Sequence, residues 1–255
     1  MHDNLTKNKS VVITGGNKGI GLEITKAFIN AGYWVVVGSR SGIPAELRSE
    51  NRVQSINVDV CKEDSHLKLV EAAIKLTGSL DVYINNVGLS AWMPISNIDE
   101  SFLDEMLNVN LKSAFWGCKA ASKYLGDGGS IINISSLAGK RGSANNSAYV
   151  STKFGVNGLT QSLAKELGNR GIRVNALCPV LIETEGLVEA LKAEFSPASG
   201  YDPSEFIDGF RKMHTALNRL PTGKEVGEMC VILASDSASA ITGQCINIDC
   251  GVFPQ

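Results

Sequence analysis

The stretch SVVITGGNKGIGLEITKAFIN, residues 10–30, sets four glycines between a β-branched run and an amphipathic one. The run 10–14 favours extended backbone. From about Ile20 to Asn30 the apolar side chains recur at helical spacing. The link between them must therefore be a tight turn from a strand into a helix. Gly15, Gly19 and Gly21 stand where such a turn needs close backbone approach, and the helix start offers amide N–H groups to a pyrophosphate. Glycine-rich turns also serve merely to pack a helix on a strand. The strand–loop–helix context is what gives this one its phosphate-binding reading.

The same alternation continues along the chain. Apolar β-branched runs at 33–38, 53–58, 80–85, 130–135, 172–178 and 245–249 read as strands. Between them lie helical patterns: one carrying Leu67, Val70, Ala73 and Ile74, a long one at 99–124 with Phe102, Met106 and Val109 inward, and others at 147–169 and 222–234. The strands are continuously apolar rather than alternating, which implies burial on both faces. The expected fold is α/β: a Rossmann-type doubly wound parallel sheet of about seven strands with helices on both faces, in a single domain spanning 1–255. The pattern lapses only at about 181–221, around SPASGYDPSEF. Long excursions at the carboxyl end of a sheet commonly cover active sites, so this segment is expected to be a substrate lid.

Composition narrows the function. The formal net charge is -2, which gives no basic footprint for nucleic acid. The opening MHDNLTKNKS has no apolar centre and does not read as a signal peptide, and no apolar run is long enough to span a bilayer. The six cysteines are scattered without a C-x-x-C pair, and the three histidines do not cluster with them. This pattern predicts neither a metal site nor a disulfide framework, and a cytoplasmic setting.

Further motifs follow in order. NNVG (85–88) ends the fourth strand, and NVNLKSAF (108–115) lies in the long helix. NISS (133–136) ends the fifth strand, SAYVSTKFG (147–155) opens the next helix, and CPVLIET (178–184) follows the sixth strand. With TGGNKGIG, this series closely resembles the short-chain dehydrogenase/reductase family over nearly the whole chain, including 3-oxoacyl reductase-like members. The resemblance implies Asn110, Ser136, Tyr149 and Lys153 as the catalytic set. Three positions depart from the family pattern: Val87 for alanine, Val180 for the glycine after Pro179, and Cys250 for a glycine near the C-terminus. The second would disfavour a positive φ.

The chemistry suits these residue types. Reducing a carbonyl by hydride transfer leaves an oxygen that needs a proton, and a phenol near its reference pKa of about 10 exchanges one poorly at neutral pH. Lys153 stands one helical turn from Tyr149, so its ammonium, with the nicotinamide cation of the oxidised complex, is expected to stabilise the phenolate and lower that pKa. By resemblance, Ser136 polarises the substrate oxygen, Lys153 also holds the nicotinamide ribose, and Asn110 anchors a water in a proton relay. Lone residues of these types have plainer uses: a serine caps a turn, and an asparagine satisfies buried backbone. Lys140 and Arg141 read as a solvated loop rather than anion ligands. Trp92 and Met93 read either as pocket lining or as core or interface.

The resemblance places cofactor contacts at Gly15, Asn17, Lys18, Gly19, Ile20 and Gly21, at Ser39 and Arg40, and at Asp59 and Val60. It places others at Asn86, Val87 and Gly88, at Tyr149 and Lys153, and at Pro179, Ile182 and Thr184. VVVGSR ends the second strand with Ser39 where an acidic residue would select NAD. Ser39, Arg40 and Lys18 instead suit the 2′-phosphate of NADP. Their alternative role is as ordinary surface charges. The expected activity is therefore NADP(H)-dependent interconversion of a carbonyl and an alcohol on a small or medium-sized molecule, by a homotetramer with no nucleic-acid or membrane partner. Two alternatives stay open: an NAD-dependent alcohol or sugar dehydrogenase, and a catalytically silent nucleotide-binding regulator of the same fold.

Overall fold

The computed structural model describes residues 9–254; the polar opening read above, with His2, lies almost wholly outside them. Strand and helix alternate as β1 (Ser10–Thr14), α1 (Gly19–Asn30), β2 (Trp34–Ser39), β3 (Val53–Asn57), α2 (Glu63–Thr77) and β4 (Leu80–Asn85). The long helical stretch follows as α3 (Glu100–Met106), a π-turn at Leu107–Lys112 and α4 (Ser113–Tyr124). Then come β5 (Leu125–Ile134), α5 (Ser147–Leu167), β6 (Arg173–Pro179), α6 (Glu185–Leu191), α7 (Pro203–His214), α8 (Gly223–Ala234) and β7 (Cys245–Ile248). All seven strands form one parallel sheet in the order β3-β2-β1-β4-β5-β6-β7. The strand order reverses between β1 and β4. A doubly wound sheet opens its ligand crevice at the carboxyl ends of such a pair.

Side chains leave a strand on alternate faces, and the core divides accordingly. Val11, Ile13, Val35, Val37 and Ile84 face α1 and α8, where they meet Ile24, Phe28, Val226, Cys230 and Leu233. Val12, Val36, Tyr83, Ile131 and Val174 face the other layer and meet Leu69, Val70, Cys118, Ala121 and Leu167 of α2, α4 and α5. This two-sided burial is why the strands carry unbroken apolar runs. Each fully buried Val, Leu or Ile contributes about 1.5–3 kcal/mol.

Three local features differ from the sequence expectation. β5 begins at Leu125, five residues earlier than expected, and its register against β4 shifts between Leu80 and Val82. The segment 181–221 is not irregular: it holds α6 and α7, whose Leu191 and Ile207 pack with Ala198 against Trp92. Trp92 and the segment therefore share a third, smaller apolar cluster. Val180 avoids the left-handed region, and its N–H donates to the Ile248 carbonyl at 3.1 Å, so the expected strain there does not arise. Cys250 does adopt φ 52°, a conformation that costs a non-glycine residue about 1–2 kcal/mol. Its carbonyl accepts the Leu217 N–H at 3.1 Å, which ties the C-terminal turn to the end of the 181–221 segment.

Candidate active site

The carboxyl ends of β1 and β4 are joined before any ligand is considered. The Asn86 amide donates to the Thr14 carbonyl at 2.9 Å and the Gly15 carbonyl at 3.3 Å, while the Thr14 hydroxyl accepts the Asn86 N–H at 2.9 Å. Gly15 and Gly19 both take positive φ. A Cβ on Gly21 would stand 2.1 Å from the Gly15 carbonyl oxygen, so only glycine lets α1 seat this close. The amino end of α1 has no side-chain cap and no acidic residue in its first turn. Elsewhere α3, α6, α7 and α8 are each capped by a side chain, whereas α2 and α5 are not. An uncapped helix start behind a glycine cradle fits a bound pyrophosphate. Across from it, the Thr184 methyl lies 3.7 Å from where a Gly19 Cβ would sit, which brings the segment after β6 over the loop. Pro179 ends β6 opposite Ile248, Ile182 is buried in the core beneath, and Ile20 packs against that same core.

At the catalytic end, β5 and α5 are bonded in both directions. The Lys153 ammonium donates to the Ile134 carbonyl at 3.0 Å, and the Ser135 hydroxyl donates to the Lys153 carbonyl at 3.3 Å. Lys153 is only 3% exposed, and its Nζ lies 5.7 Å from the centre of the Tyr149 ring. Ser136 starts a short turn at Leu137–Gly139, where its Oγ accepts the Ala138 N–H at 3.1 Å. Its hydroxyl is near enough to that of Tyr149 to act on the phenol's pKa. Ser136 therefore both caps a turn and faces the phenol. Burial pushes the Lys153 ammonium down to about 8. Burial pushes the Tyr149 phenol up, with Ser136 pulling the opposite way. The lowering expected with the oxidised cofactor bound is not a property of the protein by itself.

Asn110 sits on the π-turn, buried, with its side chain committed. Its Oδ1 accepts the Leu89 N–H at 2.7 Å, and its Nδ2 donates to the Leu89 carbonyl at 2.9 Å. The amide thus clamps both backbone groups of Leu89 in the loop after β4. A Cβ on Gly88 would stand 3.3 Å from the Asn110 Oδ1 and 3.4 Å from the Lys153 Nζ. Bare backbone at Gly88 is what lets these two groups converge. Val87 packs against the core layer of α2 and α4, and its Cγ2 would stand 2.9 Å from a Gly15 Cβ. The sequence reading passed over Thr14, although its hydroxyl joins β1 to β4. The signal was a hydroxyl at a strand end directly before the glycine loop.

The other end of the crevice opens beside β2. The Ser39 hydroxyl is buried and donates to the Ser41 carbonyl, while Arg40 and Lys18 are exposed. The Asn17 amide bridges the glycine loop to the Ser41 hydroxyl at 2.9 Å. Arg40, Asp59 and Cys61 line a groove of about 640 Å³, with Glu100, Asp104 and Val109 on its far wall. Val60 is buried behind it. The site thus runs from Arg40, past the glycine cradle, to Tyr149.

The profile of the family described as enoyl-(acyl carrier protein) reductase matches residues 15–253. The chain belongs to the short-chain dehydrogenase/reductase family, a family of oxidoreductases that use a nicotinamide cofactor. It is 31% identical to the 3-oxoacyl-(acyl-carrier-protein) reductase FabG of Chlamydia trachomatis serovar D, over 97% of this chain and 98% of the relative. It is 32% identical to a diacetyl reductase ((S)-acetoin forming) of Staphylococcus aureus, over 97% of this chain and 99% of the relative. Among solved structures it resembles the ligand-free aldohexose dehydrogenase of Thermoplasma acidophilum, with a TM-score of 0.86, 29% identity and 98% of each chain covered.

Proposed function

We propose that the protein is an NADP(H)-dependent oxidoreductase that interconverts a carbonyl and an alcohol on a small or medium-sized molecule, with Tyr149 as general acid and base. The observation that carries this is the buried Lys153 ammonium 5.7 Å from the Tyr149 ring, with Ser136 at the end of β5 acting on the same phenol. In the reductive direction the nicotinamide, when bound, supplies a hydride to the carbonyl carbon. Ser136 donates a hydrogen bond to the carbonyl oxygen, and Tyr149 delivers the proton that makes it a hydroxyl. Lys153 holds positive charge next to the phenol, which favours the phenolate left behind. Asn110 contributes by fixing Leu89, and so the shape of the loop under Gly88. All four members of the set are present, which favours an enzyme over a silent nucleotide-binding protein.

Arg40 and Lys18 support NADPH. A guanidinium can meet a 2′-phosphate through two charge-assisted hydrogen bonds, and no carboxylate ends β2 to repel it. A homotetramer in the cytoplasm fits the same reading, and among the described residues no helix is long and apolar enough to cross a membrane. The relatives named above are a 3-oxoacyl reductase, a diacetyl reductase and an aldohexose dehydrogenase, which share carbonyl–alcohol chemistry rather than one substrate.

The test is Tyr149→Phe, assayed with a panel of ketones and aldehydes and titrated with NADPH and NADH. Turnover is expected to fall about 100-fold or more, while the NADPH dissociation constant stays within about threefold of wild type. Both proteins are expected to bind NADPH about tenfold or more tightly than NADH. Near-normal turnover by folded Tyr149→Phe would falsify the catalytic assignment, and equal affinities would sink the cofactor preference alone.

A further inference from the structure

We propose that His66 is a positioning residue for the adenine end of the cofactor site: through the peptide joining Val60 and Cys61, it orients the carboxylate of Asp59. The inference rests on the cofactor reading given above, which places a contact at Asp59; by the same resemblance that aspartate meets adenine.

His66 lies in α2 and is 0% exposed. Its Nε2 is 2.8 Å from the Val60 carbonyl oxygen, and its Nδ1 is 2.7 Å from the Tyr83 hydroxyl. A carbonyl can only accept, so Nε2 carries the hydrogen. In a neutral imidazole Nδ1 is then bare, and the Tyr83 hydroxyl must donate to it. Burial lowers the His66 pKa, which keeps the ring in this neutral state. The chain of donors thus runs one way only, from Tyr83 through His66 to Val60.

The Val60 carbonyl and the Cys61 N–H belong to one peptide unit. That N–H donates to Asp59 Oδ1 at 3.1 Å. A single rigid plane is therefore held by His66 at its oxygen and by Asp59 at its nitrogen. If the plane rotates, the first carboxylate oxygen loses its partner and the second loses its direction. Asp59 and Cys61 line the groove with Arg40, so this plane is part of the wall that meets the adenosine.

A purely packing role does not explain the pair. Tyr83 is buried among Val12, Val36, Leu69 and Val70, where an apolar side chain would fill the space without two polar groups to satisfy. The pair adds direction, and its only backbone outlet is the loop at the mouth of the groove. Partners behind a binding group commonly govern its aim in this way.

The experiment measures dissociation constants, by quenching of protein fluorescence, for NADPH and for its reduced hypoxanthine analogue, whose base lacks the amino group that a carboxylate accepts from. Wild type is expected to prefer NADPH by about tenfold or more, the usual worth of a hydrogen bond to a charged group. His66→Leu is expected to lower that preference at least about threefold, mainly by weakening NADPH. Its turnover at saturating cofactor should stay within about twofold of wild type, because the hydride and proton groups lie at the other end of the crevice. His66→Gln, whose amide can donate to the Val60 carbonyl, is expected to restore most of the preference. Equal weakening of both cofactors by His66→Leu, or an unchanged ratio, overturns the inference. Should His66→Leu not fold, Tyr83→Phe, which removes only the donor to Nδ1, decides by the same ratio. A wild type that binds neither nucleotide overturns the cofactor reading, and this inference with it.

Discussion

Lys153 bears the clearest pH signature of any residue in the site. Its ordinary pKa of 10.5 falls to about 8 in the folded chain, because the ammonium is taken out of water. Between those values the unfolded chain binds more protons than the folded one. Stability from this group therefore rises with pH across that window and is flat below it. We expect the stability of the cofactor-free wild type, measured relative to Lys153→Met, to climb by up to about 3 kcal/mol between pH 8 and 10.5. Urea titrations of both proteins at a series of pH values check this, and a pH-independent difference would mean that Lys153 is not buried as a charge. Tyr149 moves the other way, since burial raises its pKa. Its proton is therefore retained for reduction well above neutrality, while oxidation gains from rising pH. The sequence named both residues, yet it could not supply these directions. They depend on how much water reaches the α5–β5 seam, which no residue spacing encodes.

At the scale of elements, the 181–221 segment packs in an apolar cluster of its own, distinct from the two cores on the sheet. It packs through Trp92, and the Met93 N–H donates to the Asn145 carbonyl at 2.6 Å, which ties the loop after β4 to the start of α5. Trp92→Ala empties the centre of this small cluster, a change that costs about 3–5 kcal/mol in a core. Hydrogen exchange at 185–214 is expected to accelerate strongly, with β1, β4 and β5 unaffected, as in a local opening. Equal acceleration in the sheet would show that segment and core unfold as one unit. The helices α6 and α7 were only half legible. Asp202 and Pro203 form a standard helix start, and the Asp202 carboxylate accepts the Ser204 N–H at 2.8 Å, but the Pro, Gly and Ser content around them reads as loop. The π-turn at Leu107–Lys112 leaves no mark in the residue spacing, although the family resemblance puts a helix kink at Asn110. Its residues keep helical spacing, and Asn110 meets its partner Leu89 only across the fold. His66 was hidden in the same way, as a lone histidine among apolar residues of a helix whose partners, Val60 and Tyr83, lie on other elements.

For the whole molecule, the parallel sheet was legible because burial on both faces leaves unbroken apolar runs, and strand–helix alternation permits few other arrangements. What the chain leaves uncovered bears on assembly. Phe115 of α4 is 49% exposed and Phe154 of α5 is 47% exposed, with Leu103 of α3 on the neighbouring helix also exposed. By the family resemblance, the helical stretches 99–124 and 147–169 are expected to pair between subunits. α3 and α4 both pack against α5, so these exposed side chains lie on neighbouring helices, and large exposed apolar patches are uncommon on a monomer's surface. At the far edge of the sheet, β7 has one strand neighbour, β6, and its residues Cys245–Ile248 are only partly covered. The two surfaces are separate, so a tetramer held by both should come apart at one without losing the other. Phe115→Glu combined with Phe154→Glu places carboxylates on the helical surface alone. Sedimentation velocity is expected to show a tetramer for wild type and a dimer for the double variant, with the circular dichroism of the folded chain unchanged. The dimer should still bind NADPH, because neither phenylalanine lies in the crevice between Arg40 and Tyr149. A wild type that sediments as a monomer removes the tetramer from the proposal. A double variant that stays tetrameric assigns the assembly to surfaces other than α4 and α5.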